Sequence, residues 1–180
     1  MHGTIFVELQ KYVETKLGPP AWPQLLSAAG IERESYSPFE TYPDTEVVAL
    51  VSVASRITGA PAGALLEDFG DFIASDLLEM YWGAIDPAWR TLDVLEHAEE
   101  TIHAVVRIDH KGALPPYLDA HRTGPDEVLI VYTSPRRLCQ VAKGISRGIA
   151  RYYGDTVTVT EETCMHRGDA DCRIRVRREA

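Results

Sequence analysis

The sequence has no long apolar run and no excess of basic residues. None of its apolar stretches approaches the roughly 20 residues that a membrane-spanning helix needs, and the opening MHGTIFVELQ lacks the basic and then hydrophobic layout of a signal peptide. Asp and Glu number 27 against 18 Lys and Arg, a formal charge of -9, which disfavours general binding to phosphate backbones. These absences predict a cytoplasmic protein that binds neither membranes nor nucleic acid.

Cysteine is also scarce, with only Cys139, Cys164 and Cys172 present. In a reducing compartment a small odd number of thiols more often binds metal or stays free than forms disulfides. Cys164 and Cys172 flank MHRGDAD, which fits a hairpin connection that brings both thiols together. Three thiols and one further donor would make a tetrahedral structural zinc site; the alternative is free thiols buried on adjacent strands.

The length of 180 residues, 45% of them hydrophobic, is typical of one globular domain. Helical periodicity and Pro/Gly stops dominate the first 110 residues, including a long helix predicted from Thr91 to His110. Beyond them, EVLIVYT, DTVTVTEET and CRIRVRR have strand patterns, SPRRLCQVAKGISRGIARYYG is helical, and a further strand is expected at Tyr117 to His121. The order predicts an α+β fold in which a helical half packs on an antiparallel sheet with one helix.

No pattern indicates an enzyme. The sequence has no nucleophile-base pair and no open catalytic metal site with convincing spacing. The adjacent acids Glu99 and Glu100 are interpreted most simply as a solvated helix face.

A polar cluster follows the strand in VLIVYTSPRRLC. Ser134 stands where a helix N-cap belongs and Pro135 at the first helical position. Free N–H groups at that helix start, the Tyr132 and Ser134 hydroxyls and the Arg136 fork would then form a site for carboxylates. The alternative is an ordinary cap, a buried tyrosine with one partner, and surface arginines.

His103 lies at the edge of the apolar stripe of the long predicted helix. A neutral imidazole that faces a cavity there would serve as an axial ligand to haem iron. The alternative is a solvated or hydrogen-bonded histidine on a helix margin.

Together these features resemble one family. The opening MHGTIF, His103, the following KGALPP and then Tyr-x-Ser-x-Arg (Tyr132, Ser134, Arg136) resemble the haem nitric oxide/oxygen binding (H-NOX) family. This family is the bacterial relative of the haem domain of soluble guanylate cyclase. The resemblance covers essentially the whole chain, which has the extent of a stand-alone member.

The resemblance implies a single domain, with residues 1–62 as a distal helical subdomain and 63–180 as a haem-binding and sheet subdomain. Haem b is expected between the two. On this match His103 is the proximal iron ligand, and the Tyr132, Ser134 and Arg136 side chains hold the propionates. Pro116 lies where the family has a proline that presses on and bends the macrocycle.

The pocket residues bear on which gas is bound. Oxygen on ferrous haem is held better by a hydrogen-bond donor, whereas nitric oxide binds tightly without one. Family members that hold oxygen have a tyrosine at the position of Val141. Leu9, Ile73 and Ile145 match other distal positions, and Ile5 is placed in the pocket as well. All are apolar, so the sequence predicts a nitric oxide sensor that excludes stable oxygen binding, with carbon monoxide as a further candidate ligand.

Some members bind zinc through three cysteines and a histidine, at positions that match Cys139, Cys164 and Cys172. Here Glu161 stands where the histidine is expected, and the nearest histidine is His166. Three alternatives stay open: His166 as fourth ligand, Glu161 as a weaker one, or an empty site with reactive thiols.

The expected mechanism is release of His103 when nitric oxide binds, followed by rotation of the helical half against the sheet half. The resemblance implies that a separate protein, a histidine kinase or a cyclic-di-GMP enzyme, receives the signal. The alternative function is a zinc-stapled adaptor domain that binds another carboxylate ligand and senses redox state through its cysteines.

Overall fold

The computed structural model describes residues 1–110 and 112–179 of the chain. Lys111, part of the KGALPP motif, lies outside the described residues. The described helices are α1 (Gly3–Leu17), α2 (Ala21–Ala28), α3 (Asp44–Thr58), α4 (Ala62–Met80), α5 (Thr91–His97), a π-helical segment (Glu99–His103), α6 (Ala104–Asp109) and α7 (Cys139–Tyr153), with short 3₁₀ turns at Trp82–Ala84 and Met165–Arg167. The strands are β1 (Tyr117–Gly124), β2 (Glu127–Thr133), β3 (Val157–Thr163) and β4 (Cys172–Arg178).

The N-terminal helices enclose an aromatic core. Phe6 is fully buried and stacks on Tyr36 with ring centroids 4.2 Å apart. Gly3 of the opening motif has no side chain for a steric reason, because a Cβ there would lie 1.8 Å from the Ser37 carbonyl oxygen. The start of α1 therefore sits directly against the 37–42 loop, which fixes the helix that carries Ile5 and Leu9.

The strands form one antiparallel sheet in the order β1-β2-β4-β3. Alternate side chains point to a second core, in which Ile130 on β2 pairs with Ile174 on β4 and both are buried. Helices α5 and α7 contribute buried residues to the same core. This arrangement confirms the predicted α+β fold, including the additional strand that begins at Tyr117.

Helices α4 and α7 approach each other closely through glycines. A Cβ on Gly144 would lie 2.0 Å from the Glu67 carbonyl oxygen, and one on Gly70 would lie 2.3 Å from that of Val141. Ile145 of α7 packs against both cores. The α4/α7 pair is therefore the shared wall between the helical core and the sheet core.

Two predicted helices differ from those observed. The helix expected from Thr91 to His110 is interrupted by the π-helical segment at Glu99–His103. The last helix begins at Cys139 rather than at Ser134, because Arg137 adopts a left-handed conformation with φ 52° and its N–H bonds back to the Ser134 carbonyl. Residues 134–137 therefore form a turn, and the expected helix N-terminus at Pro135 was wrong.

Of the described helices, none is by itself long and apolar enough to cross a membrane. Only α3 and α4 taken together meet that test, and they are bent by 109° at the break between them.

Candidate functional site

His103 lies at the end of an irregular stretch of helix. Its N–H bonds to the carbonyl of Ala98, five residues earlier, at 2.9 Å. Such π-bulges are rare within helices and occur frequently at functional sites, because the extra residue re-aims the side chains around it. The bulge therefore sets the direction of the His103 imidazole.

One carboxylate holds the His103 ring. Glu99 Oε2 lies 2.9 Å from His103 Nδ1 and also accepts the Leu118 N–H of β1 at 3.1 Å. Glu99 Oε1 accepts from Arg107 of α6 at 2.5 Å. An ionised carboxylate only accepts, so His103 Nδ1 carries the proton and Nε2 is left with a free lone pair, which is the form that ligates iron.

The protonation states of His103 and Glu99 agree with this geometry. Burial lowers the pKa of His103, although the Glu99 carboxylate and the backbone carbonyl of Pro116 oppose it, so the imidazole is neutral near pH 7. Burial raises the pKa of Glu99, but the hydrogen bonds from His103, Arg107 and the Leu118 N–H outweigh it and bring that pKa below its usual value. Glu99 is thus an ionised hydrogen-bond acceptor, and His103 is a neutral imidazole that can ligate a metal.

Sequence reasoning missed Glu99. It had been interpreted with Glu100 as a solvated face, but the Glu99 side chain is only 22% exposed whereas that of Glu100 is 69% exposed. The four-residue spacing between Glu99 and His103 was the available signal, since residues at i and i+4 lie on the same helix face.

The polar cluster after β2 (Tyr132, Ser134, Arg136) is held together, and both hydroxyl-bearing residues are buried. Ser134 Oγ accepts the Arg136 N–H at 3.2 Å, and the Tyr132 hydroxyl accepts the Leu138 N–H at 3.1 Å. The cluster thus forms on a turn and not at a helix N-terminus, and its cation comes from the Arg136 side chain alone.

Arg136 connects three separate parts of the chain. Its Nη1 donates to the Leu114 carbonyl of the KGALPP motif, and its Nε lies 2.9 Å from Asp44 Oδ2 at the start of α3. The other oxygen of Asp44 contacts the Met1 ammonium at 2.5 Å. The Arg136 Nε contact with Asp44 lacks hydrogen-bond geometry, but at 2.9 Å it is an ion pair that neutralises the guanidinium charge.

The five side chains predicted for the distal pocket lie in one apolar cluster. Leu9 and Ile73 are buried in the helical core, and Ile5, Val141 and Ile145 pack against it as half-buried side chains. They come from α1, α4 and α7, whose close crossing brings Val141 next to Gly70.

The tyrosines near this cluster have other partners. Tyr12 donates to Asp68 at 2.6 Å, Tyr36 to Glu46 at 2.6 Å, and Tyr42 to Glu40 at 3.0 Å. Tyr153 packs against the sheet core and Tyr152 is exposed. The hydroxyls of Tyr12, Tyr36 and Tyr42 therefore already donate to carboxylates.

The KGALPP loop closes the His103 side of the site. Pro116 is half-buried, and its carbonyl is close enough to His103 to influence the imidazole. The next residues begin β1, whose Leu118 N–H binds Glu99. The loop thus joins the histidine to the sheet.

The three thiols converge in a buried cluster. Cys164 Sγ lies 3.9 Å from Cys139 Sγ and 4.0 Å from Cys172 Sγ. Tetrahedral zinc with Zn–S bonds of about 2.3 Å would require S···S separations of about 3.8 Å. Burial, and then the neighbouring Cys172, raise the pKa of Cys139, so this thiol is protonated without a metal.

Neither proposed fourth ligand reaches the thiols. Among the described residues, the group of ligand atoms within 4.8 Å of one another contains the three cysteines only. Glu161 is held by Arg167 at 2.8 Å and Lys143 at 3.4 Å, and exposed His166 bonds through Nε2 to the Arg137 carbonyl at 2.7 Å. The structure thus gives both residues other partners.

The donor set around His103 fits a haem. A neutral imidazole with Nδ1 committed supplies an axial nitrogen, and the apolar cluster suits a macrocycle. The Tyr132 and Ser134 hydroxyls and the Arg136 guanidinium suit its carboxylates. This fit favours haem over another carboxylate ligand, because such a ligand would not need the imidazole.

Known structures share this fold. The NO-bound crystal structure of an H-NOX protein from S. oneidensis is 23% identical, with each chain covering 100% of the other and a TM-score of 0.93. An unliganded Fe(II) H-NOX protein from K. algicida is 20% identical, with 100% of this chain and 97% of that chain covered and a TM-score of 0.88. No curated protein sequence shows significant similarity to the chain.

The family model described as haem-NO-binding matches residues 2–161. That range includes the opening motif, the π-helical segment with His103, the KGALPP loop and the polar cluster after β2. The match covers well over half of the 180 residues, and the chain belongs to the haem-NO-binding, or H-NOX, family of haem-based gas sensors.

Proposed function

We propose that this protein senses nitric oxide at a ferrous haem and excludes stable oxygen binding. The observation that carries the proposal is the single apolar cluster formed by Ile5, Leu9, Ile73, Val141 and Ile145. Oxygen needs a donor to its partly negative outer atom, whereas nitric oxide and carbon monoxide do not. The H-NOX structure from S. oneidensis has been solved with NO bound and also with CO bound, which supports these gases as ligands here.

The residues that would hold haem b follow from the site. His103 Nε2 would supply the nitrogen donor to the iron, and the polar cluster (Tyr132, Ser134, Arg136) would receive the propionates. Pro116, whose carbonyl acts on the His103 ring, would contact the macrocycle. The haem would then lie between the helical core and the sheet core.

Haem bound here would supply a ferrous iron for a diatomic gas, and nitric oxide would weaken the iron–His103 bond. A released His103 would then move with the π-helical segment, where its N–H bonds to the carbonyl five residues earlier. Because Glu99 joins His103 to β1 and α6, displacement of the imidazole shifts the helix relative to the sheet.

The signal is proposed to pass to a separate protein, a histidine kinase or a cyclic-di-GMP enzyme, in the cytoplasm. The domain itself is proposed to have no catalytic activity. The family resemblance supports these partners, and the acidic character of the chain, with a formal charge of -9, favours a basic surface on the partner.

A structural zinc ion is proposed at Cys139, Cys164 and Cys172. The S···S separations near 4 Å support it. A rearrangement of Glu161 or His166 would complete the site. Metal analysis of protein purified without added metal should give about one zinc per chain, reduced in Cys172→Ser; a value near zero in the native protein would contradict the proposal.

Exposure to air tests the gas preference. The ferrous protein should keep its oxygen-free visible spectrum during the first minutes in air and then convert slowly to the ferric form, while nitric oxide and carbon monoxide each change the spectrum at once. A stable spectral change on addition of oxygen, reversed when oxygen is removed, would overturn the exclusion of oxygen.

A further inference from the structure

The Glu99 carboxylate differs from its neighbour although both bond to a histidine. Glu99 bonds to buried His103 and has two further donors, while among the described residues Glu100 bonds to His97 alone, at 2.6 Å, on the exposed surface. Both acids lie in the π-helical segment and carry the same carboxylate group. Only Glu99 touches the histidine that the site assigns to iron.

A carboxylate bonded to the outer nitrogen of a metal-bound histidine alters the metal bond itself. The negative acceptor draws the Nδ1 proton toward itself, which raises electron density on Nε2 and strengthens donation to the metal. The stronger donor stabilises ferric iron more than ferrous iron, so it lowers the reduction potential. It also holds the ring in one orientation.

We propose that Glu99 is a positioning residue that sets the strength of the iron–His103 bond and, through it, how readily nitric oxide releases His103. This inference rests on the proposed function, because it requires haem at His103. Glu99 does not touch the gas or the iron and acts only through the imidazole.

The same carboxylate passes the release on to the rest of the fold. Because Leu118 N–H and Arg107 Nη2 also bond to Glu99, movement of a released imidazole would reach β1 and α6 through this side chain. The strength of the iron bond and its coupling to the sheet thus depend on one carboxylate.

The matched variants are Glu99→Gln and Glu100→Gln. Glutamine keeps the length and one acceptor oxygen but removes the charge. In the ferrous haem-loaded protein, Glu99→Gln should lower the iron–histidine stretching frequency in the resonance Raman spectrum and raise the reduction potential. Mutation of an outer hydrogen-bond partner typically costs about 10-fold to 100-fold in metal binding. A tenfold weaker preference for ferric over ferrous iron corresponds to a potential about 59 mV higher. Glu100→Gln should match the wild type in both measurements.

Release of the histidine gives a third measurement. After nitric oxide is mixed with the ferrous protein, the shift of the Soret band that marks loss of the axial histidine should be at least tenfold faster in Glu99→Gln than in the wild type or Glu100→Gln. Equal stretching frequency, potential and release rate in all three proteins would overturn the role of Glu99 while leaving the proposed function intact. A wild type that takes up no haem would instead overturn the proposed function and this inference with it.

A ligand-replacement experiment is independent of whether Glu99→Gln folds. In His103→Gly with Glu99 intact, imidazole in the vacated space can donate an N–H to Glu99, whereas 1-methylimidazole cannot. Imidazole should bind the haem-loaded variant about tenfold more tightly than 1-methylimidazole. Equal affinities would contradict the proposal.

Discussion

The two sides of the candidate haem site are built from opposite kinds of residue. On the His103 side a charged network joins the imidazole, Glu99, Arg107 and the backbone of β1 within 3.1 Å at each contact. On the opposite side Leu9, Ile73 and Val141 form an apolar surface. Among the described residues, polar contacts are therefore concentrated around His103, and the predicted gas side is apolar.

This difference indicates how selectivity and response are separated. In the proposed function, the apolar side would exclude oxygen, which needs a hydrogen-bond donor. The hydrogen-bonded histidine side would set how strongly the iron is held and how readily nitric oxide releases it. We therefore expect that each property can be changed by mutation without changing the other.

The largest expected effect comes from His103→Gly, which removes the imidazole assigned to the iron. Axial ligation by the protein should be abolished, and the ferrous Soret band should shift; added imidazole should restore the wild-type position by filling the space. His97→Gly, at the exposed Glu100 pair, is the control and should leave the Soret band unchanged. A shift in the control alone would show that His97, and not His103, is the axial ligand.

Val141→Tyr should break the asymmetry by placing a donor on the apolar side. A hydrogen bond to a charged partner is worth about 1.5–3 kcal/mol, or about 10-fold to 100-fold in affinity. The variant should therefore show reversible oxygen binding by visible absorption. Val141→Phe adds the same ring without the hydroxyl and should not; oxygen binding by both variants would show that space, and not a donor, is what the wild type lacks.

Gly144→Ala tests the wall that the two sides share. A Cβ at this position would lie 2.0 Å from the Glu67 carbonyl oxygen, so α4 and α7 must separate, at a cost of about 1–3 kcal/mol in the free energy of unfolding. Gly83→Ala, where a Cβ meets nothing within 4 Å, should change that free energy by less than about 0.5 kcal/mol. Urea titration measures both; equal stabilities would contradict the close helix contact.

The smallest effect concerns Glu8, a buried acid on α1 beside Leu9. Burial and then neighbouring Asp76 raise the pKa of Glu8 from 4.5 to about 7, with Lys11 opposing them. Because the folded pKa exceeds the unfolded one, protonation favours the folded state. The stabilisation is complete below about pH 4.5 and is lost as the pH rises through about 7.

Glu8→Gln removes this loss, so its melting temperature should exceed that of the wild type by more at about pH 8 than at about pH 5. A Glu8→Gln difference that is constant with pH would contradict the raised pKa.

Much of the fold was predictable because its signals are periodic. Strand alternation in EVLIVYT and CRIRVRR predicted the paired strands β2 and β4, and apolar spacing predicted α1, α3 and α4. The family followed from MHGTIF, KGALPP and Tyr-x-Ser-x-Arg, whose order along the chain is more specific than any one of them, and the family match confirms it. The predicted distal residues do lie together.

What sequence reasoning missed depends on single backbone irregularities. The π-bulge before His103 adds one residue to a helix turn without changing the apolar pattern enough to be noticed, so Glu99 was taken for a surface acid. Arg137 at φ 52° is a conformation that non-glycine residues rarely adopt, so the delayed start of α7 had no sequence marker. The other partners of Glu161 and His166 are long-range contacts that spacing does not encode.

The absorption spectrum of the ferrous protein with nitric oxide at equilibrium tests the central claim most directly. We expect the spectrum of a five-coordinate NO-bound haem, because nitric oxide should weaken the iron–His103 bond until it breaks. A spectrum that stays six-coordinate, with His103 still bound, would contradict it.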